Sequence, residues 1–171
     1  MILKSQQHLF NISEDVAYLN TASFSPAFKS VEAAGIEAIK HKTNPELRLP
    51  SDLFDPVVEL RKLFAELIDE DDYNRIVTMP SVSYGMANIA NNITLKEGEE
   101  IIIVEEQFPS NYYNWEDIAL QYNAKIITVD QPKNAEDWNT LILKAINPKT
   151  ALVSIGHLHW ANGIIFDLKA I

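Results

Sequence analysis

The run Glu100-Ile101-Ile102-Ile103-Val104 sets the tightest limit on what this chain can fold into. A strand with one wet face alternates apolar and polar residues. This run does not alternate, so both of its faces must be covered. Ala124–Val129 and Thr150–Ile155 read as further strands. Between the strands, Ser110–Tyr122 and Ala135–Ile146 read as helices, the second capped by Asn134 and followed by Pro148. Strand, helix, strand, helix with short links is the pattern of a parallel sheet with helices on both faces. The expected fold is α/β: a three-layer, mostly parallel sheet. Phe166–Ile171 is expected to open another helix.

Upstream, Arg75–Met79 reads as a short buried strand that turns at Pro80-Ser81 straight into a helix from Val82, with Met86, Ile89, Ala90 and Ile93 on one face. Such a turn leaves the first helical N–H groups unpaired at the positive end of the helix dipole, which makes a seat for an anion. Ser81 and Ser83 add hydroxyls, and Gly85 admits a close approach by a ligand or another backbone. The simpler reading is an ordinary strand–helix turn with Ser81 as the N-cap.

The first third reads as arm, loop and two helices. Met1–Asp15 is mixed and polar, and Val16–Leu19 is strand-like. Asn20–Pro26 is loop chemistry. Ser25-Pro26 is a helix start, with a helix expected to about His41. Ser51 or Asp52 should cap a second helix to about Ile68, with Leu53, Val57, Leu60, Phe64 and Leu67 on one face.

Composition narrows the partners. Asp and Glu number 24 against 14 Lys and Arg, a net charge of −10, which argues against nucleic acid or an anionic membrane. There is no cysteine, so a disulfide framework, a thiolate metal site and a catalytic thiol are excluded within these residues. No long apolar run suggests a membrane span, and the first residues lack a signal-peptide core, so a soluble cytoplasmic protein is expected.

Ligands of open parallel sheets bind beyond the carboxyl ends of the strands. Three stretches take that position here: Ser81–Ser83, Glu105–Asn111 and Gly156–Gly163. They offer an anion seat, a rigid aromatic, and imidazole and amide groups, which suits a flat, phosphorylated aromatic ligand. Phe108 before a proline is equally compatible with a plain core aromatic, and His157 with a structural histidine. His157 and His159 also have the spacing of a metal pair on a strand. With no carboxylate or third ligand nearby, no metal is expected.

Phe108-Pro109-Ser110-Asn111 and His157-x-x-Trp160-x-Asn162-Gly163 resemble the class V aminotransferase group of fold-type I pyridoxal-phosphate enzymes, which includes cysteine desulfurases, kynureninases and isopenicillin-N-epimerase-like proteins. Tyr18–Ser23 and Ser81–Ala87 resemble it too, in the same order along the chain. The resemblance implies pyridoxal 5′-phosphate as cofactor. The backbone amides of Val82 and Ser83, with the Ser83 hydroxyl, would hold its phosphate, and Phe108 would stack on its ring. His159 or Trp160 would lie near its phenolic oxygen. Asn20, Thr21, Ala22 and Ser23 would approach an amino-acid substrate's carboxylate side, and a homodimer is implied.

The resemblance also implies that residues 1–25 are an arm and substrate-side loop. Residues 26–171 would then be the N-terminal portion of the cofactor-binding large domain, incomplete and truncated before the Schiff-base lysine. That chemistry needs such a lysine and an acidic partner for the ring nitrogen. Lys169 and Asp167 sit in the wrong context for those roles. The expected function is thus a fragment of an aminotransferase, lyase or epimerase, inactive alone, with no catalytic residue in this chain. The rival is a non-catalytic α/β module that binds a protein partner. A dinucleotide module is disfavoured, because Gly85 stands alone where a Gly-x-Gly-x-x-Gly pattern is needed.

Overall fold

A computed structural model describes residues 4–133 and 137–171. The chain divides into two compact units, Met1–Val77 and Thr78–Ile171.

In the first unit, α1 (Lys29–Thr43) and α2 (Asp55–Leu67) are joined by two short 3-10 turns, Pro45–Leu47 and Pro50–Leu53. The expected start at Ser25-Pro26 is three residues early. Phe28 pairs with Phe10 in an isolated antiparallel bridge, their rings stacked at 4.6 Å, which holds residue 28 extended and delays the helix. Val16–Leu19 forms no strand; Leu19 is 92% exposed. The caps expected at Ser51 or Asp52 belong instead to the 3-10 turn, where the Asp52 carboxylate accepts from the Leu49 N–H at 2.9 Å.

The strand expected at Arg75–Met79 is absent. Arg75 closes a 3-10 turn begun at Tyr73, and the residues after it carry no ladder. The Ile76 carbonyl accepts from Arg61 Nε of α2 at 2.7 Å, and the same guanidinium lies 5.3 Å from the Tyr73 ring centre. With no neighbouring strand to pair with, this backbone turns to a side chain instead.

The second unit holds the sheet. β1 (Glu100–Val104), β2 (Lys125–Val129) and β3 (Thr150–Val153) run parallel in the order β2-β1-β3. Ile101 to Val104 of β1 are at most 1% exposed. Alternate side chains serve opposite layers, as a strand's period of two demands. Ile101 and Ile103 pack with Ala90 of α3 (Val82–Asn91) and with Trp115 and Ile118 of α4 (Tyr113–Tyr122). Ile102 and Val104 pack with Trp138 and Ile142 of α5 (Trp138–Ala145) and with Phe166. Helices therefore cover both faces, giving the three-layer, mostly parallel α/β arrangement.

Local chemistry sets the ends of these elements. Asn123 ends α4 in the left-handed conformation (φ 52°), and the Ala124 N–H turns back to the Ala119 carbonyl at 2.8 Å. α5 is capped by Asp137, whose carboxylate accepts from the Thr140 N–H at 3.3 Å. The cap expected at Asn134 lies outside the described residues. β3 stops at Val153, two residues earlier than expected. The helix expected over Phe166–Ile171 is only a turn, because the Asp167 carboxylate captures the Lys169 and Ala170 N–H groups.

Candidate functional site

The expected anion seat begins with Ser81. Its Oγ accepts from the Tyr84 N–H at 3.3 Å and its carbonyl from the Gly85 N–H at 3.2 Å, so Ser81 is the N-cap of α3. The amides of Val82 and Ser83 precede the first acceptors of the helix and have no intrahelical partner. Both residues are exposed. Gly85 plays a different part from the one expected. A Cβ there would come 3.1 Å from the Met79 thioether sulfur, so what approaches it is a side chain of the turn itself.

Val82 lines a cleft of about 550 Å³ together with Met86, Phe108, Gly156, Leu158 and Trp160. The cleft opens where β1 and β3 end, as the topology of a parallel sheet predicts. Among the described residues no charged side chain lines it. Any anion entering it would therefore rely on amide and hydroxyl hydrogens.

Phe108 follows the loop from β1 and precedes Pro109, which opens a single 3-10 turn to Asn111. Its ring is 47% exposed, so it is not a core aromatic. The Trp160 ring stands edge-on to it, 5.3 Å between centres at 85°. Trp160 Nε1 donates to the Glu106 carbonyl at 2.7 Å. Glu106 adopts a left-handed backbone (φ 51°), an uncommon conformation for a residue with a Cβ, and this indole contact meets it there.

His159 sits elsewhere. Its ring is 2% exposed, 5.1 Å from the Trp138 ring, and it is absent from the cleft lining. Its Nε2 lies 3.2 Å from the Glu105 carbonyl. A carbonyl only accepts, so Nε2 carries a hydrogen, and Nδ1 is buried with no partner among the described residues. His157 is exposed, and among the described residues no group of three His, Cys, Asp or Glu comes together as a metal site.

Among the residues singled out from the sequence, the structure brings Val82, Phe108 and Trp160 to one cleft. Ser83 is exposed beside Val82 but does not line the cleft. Asn20, Thr21, Ala22 and Ser23 belong to the first unit, where they form an exposed turn. The Phe24 and Ser23 N–H groups donate to the Asn20 carbonyl at 3.0 and 3.3 Å.

Gln107, Asn111, Trp115 and Ser154 also line the cleft, and they form a polar cluster that the sequence reading missed. Ser154 Oγ donates to Asn111 Oδ1 at 2.7 Å and accepts from Trp115 Nε1 at 2.8 Å, and Trp115 Nε1 also reaches Asn111 Oδ1 at 3.0 Å. Gln107 Nε2 donates to the Ser154 carbonyl at 3.3 Å, while Gln107 Oε1 accepts from the Phe108 N–H at 2.9 Å. One signal was available: Asn111 and Trp115 are four apart at the start of a helix, a spacing that places side chains together. Nearby, Tyr112 Oη donates to Glu116 Oε1 at 3.1 Å. That hydrogen bond, then the carboxylate's charge, raises the phenol's pKa.

The family described as Aminotransferase class-V matches residues 17–171. A probable cysteine desulfurase of Staphylococcus aureus is 32% identical over 101 residues, 57% of this chain and 22% of that protein. Two solved structures share the fold. One is a mutant of C-DES with glycine covalently linked to its PLP cofactor (TM-score 0.84, 20% identity, 98% of this chain and 45% of that one). The other is the cysteine desulfurase CsdA from Escherichia coli (TM-score 0.80, 20% identity, 96% and 43%). The chain thus spans less than half the length of each of these proteins.

Proposed function

The chain belongs to the class-V aminotransferase family, and from that premise we propose that its second unit supplies the phosphate seat and the ring-stacking side chain for pyridoxal 5′-phosphate. The enzyme would act on an amino acid. The observation that carries the reading is the cleft itself, which joins the amino end of α3 to a half-exposed aromatic ring. A phosphate suits the unpaired Val82 and Ser83 amides with the Ser83 hydroxyl. A flat pyridine suits the half-exposed ring of Phe108, which lines the cleft with Trp160 perpendicular to it.

When bound, the cofactor supplies an electron sink for a carbanion on the amino acid. This chain's part is to hold and orient it. Of the two residues assigned to the phenolic-oxygen side, Trp160 lines the cleft, and buried His159 supports the same loop from below through Glu105. Asn20–Ser23 would meet the substrate's carboxylate side, the protein would act as a homodimer, and a cytoplasmic location completes the reading. Among the described residues no helix is long and apolar enough to cross a membrane. The family match weighs against the partner-binding alternative.

No lysine lines the cleft. Borohydride reduction of the chain with the cofactor is therefore expected to fix no robust aldimine band to any one lysine, and the chain alone is expected to be inactive. Binding tests the reading directly. Pyridoxal 5′-phosphate should quench tryptophan fluorescence on binding, and pyridoxal should bind at least tenfold more weakly. A tenfold loss is about 1.4 kcal/mol, at the low end of what a hydrogen bond to a charged group is worth. Ser83→Ala should narrow the gap between the two ligands. Equal affinity for them would remove the phosphate seat from the argument.

A further inference from the structure

We propose that Ser154, at the end of β3, is the positioning residue that sets Phe108 against the bound cofactor ring; the inference rests on the reading above. Every polar atom of Ser154 is engaged. Its N–H donates to the Ile102 carbonyl of β1 at 2.8 Å, which ties it to the sheet. Its carbonyl accepts from Gln107 Nε2 at 3.3 Å, and its hydroxyl sits between Asn111 Oδ1 and Trp115 Nε1. Gln107 and Asn111 flank Phe108 closely on either side in sequence. Gln107 also accepts from the Phe108 N–H, so that one amide side chain joins the backbone of Phe108 to that of Ser154.

The segment carrying Phe108 has no regular structure of its own except one 3-10 turn. Its position therefore depends on what holds it. Ser154 is 8% exposed and anchored in the sheet, whereas Phe108 is 47% exposed. The buried residue is the fixed point and the exposed ring is what it places. A buried, fully bonded polar cluster has one good geometry, and breaking one member strands the others. Ser154 lines the same cleft as Phe108, and in this scheme it acts on the cofactor through the placement of Phe108 rather than by touching a reacting atom.

The test uses the full chain titrated with pyridoxal 5′-phosphate, read by affinity and by induced circular dichroism of the bound cofactor at saturation. Dichroism per bound ligand reports ring placement, which a general loss of stability does not change. Phe108→Ala should weaken binding about tenfold and flatten the dichroic band. Ser154→Ala and Gln107→Leu should each flatten the band and weaken binding threefold or more, and Ser154→Thr, which keeps the hydroxyl, should restore both. Gln107 is only half-buried, so its variant stays informative if Ser154→Ala folds poorly. If Phe108→Ala loses the signal while Ser154→Ala and Gln107→Leu keep it, the positioning role is wrong and the stacking role stands. If Phe108→Ala changes nothing, the stacking role is wrong and this inference goes with it.

Discussion

Ser81 and Ser83 are both serines at the start of α3, yet they have separate tasks. Ser81 Oγ is bonded to the Tyr84 N–H, so it stabilises the helix. Ser81→Ala should cost about 1 kcal/mol, read as a lower urea midpoint with an unchanged slope. It should leave cofactor affinity within about twofold, because the Val82 and Ser83 amides remain. Lost affinity at unchanged stability would instead make Ser81 a ligand. Tyr112 offers a second residue-level test. Its pKa is raised by the hydrogen bond to Glu116 and then by that carboxylate's charge. The raised value means the folded state favours the neutral phenol. Its stabilising effect is present below the ordinary tyrosine value of 10.0 and is lost as pH rises through the raised value. Glu116→Ala should move this ionisation down towards 10.0, seen as tyrosinate absorbance appearing at lower pH than in the parent chain. Phe108, Val82 and Trp160 were legible as site candidates because each sits in a short local pattern. Ser154 was not, since its partners Asn111 and Trp115 lie 43 and 39 residues away and only the sheet brings them together.

At the scale of elements, β1 decides the fold of its unit. Ile102 is fully buried against α5 and Ile103 is 1% exposed against α3 and α4. Truncating either to alanine should destabilise the unit by about 2–5 kcal/mol, since both the transferred methyl groups and the residual cavity count. The check is a denaturant titration followed by near-ultraviolet dichroism of Trp115 and Trp138, which pack on opposite faces of the sheet. Loss of only one signal would show the two layers melting separately. β1, β2 and β3 were read from the sequence to within one or two residues, because an unbroken apolar run is its own evidence. Arg75–Met79 misled for the same reason: the pattern resembles a strand, but a strand exists only through its neighbours, and Arg61 supplies the partner instead. The start of α1 was misjudged because the Phe10–Phe28 bridge is a contact across eighteen residues that no local cap signal reveals.

At the scale of the whole molecule, the two units differ in how much they bury, and this carries a further prediction. Ala65 is the one buried residue among the described residues of the first unit, and α1 buries none. Of the expected apolar face, Val57, Leu60, Phe64 and Leu67 lie on α2 and Leu53 in the 3-10 turn before it, yet all five are between 43% and 78% exposed. Helices of this length are marginal in water unless packing supports them. The second unit has a core on each side of a strand at most 1% exposed over Ile101–Val104. Amide exchange should therefore split the chain. The β1 amides should open only with global unfolding of their unit, while those of α1 should exchange through local fraying, faster by roughly a hundredfold or more. Mass spectrometry after proteolysis resolves these segments. Protection of α1 equal to that of β1 would mean that something covers the helix in solution, and would overturn the view that, among the described residues, burial is concentrated in the second unit.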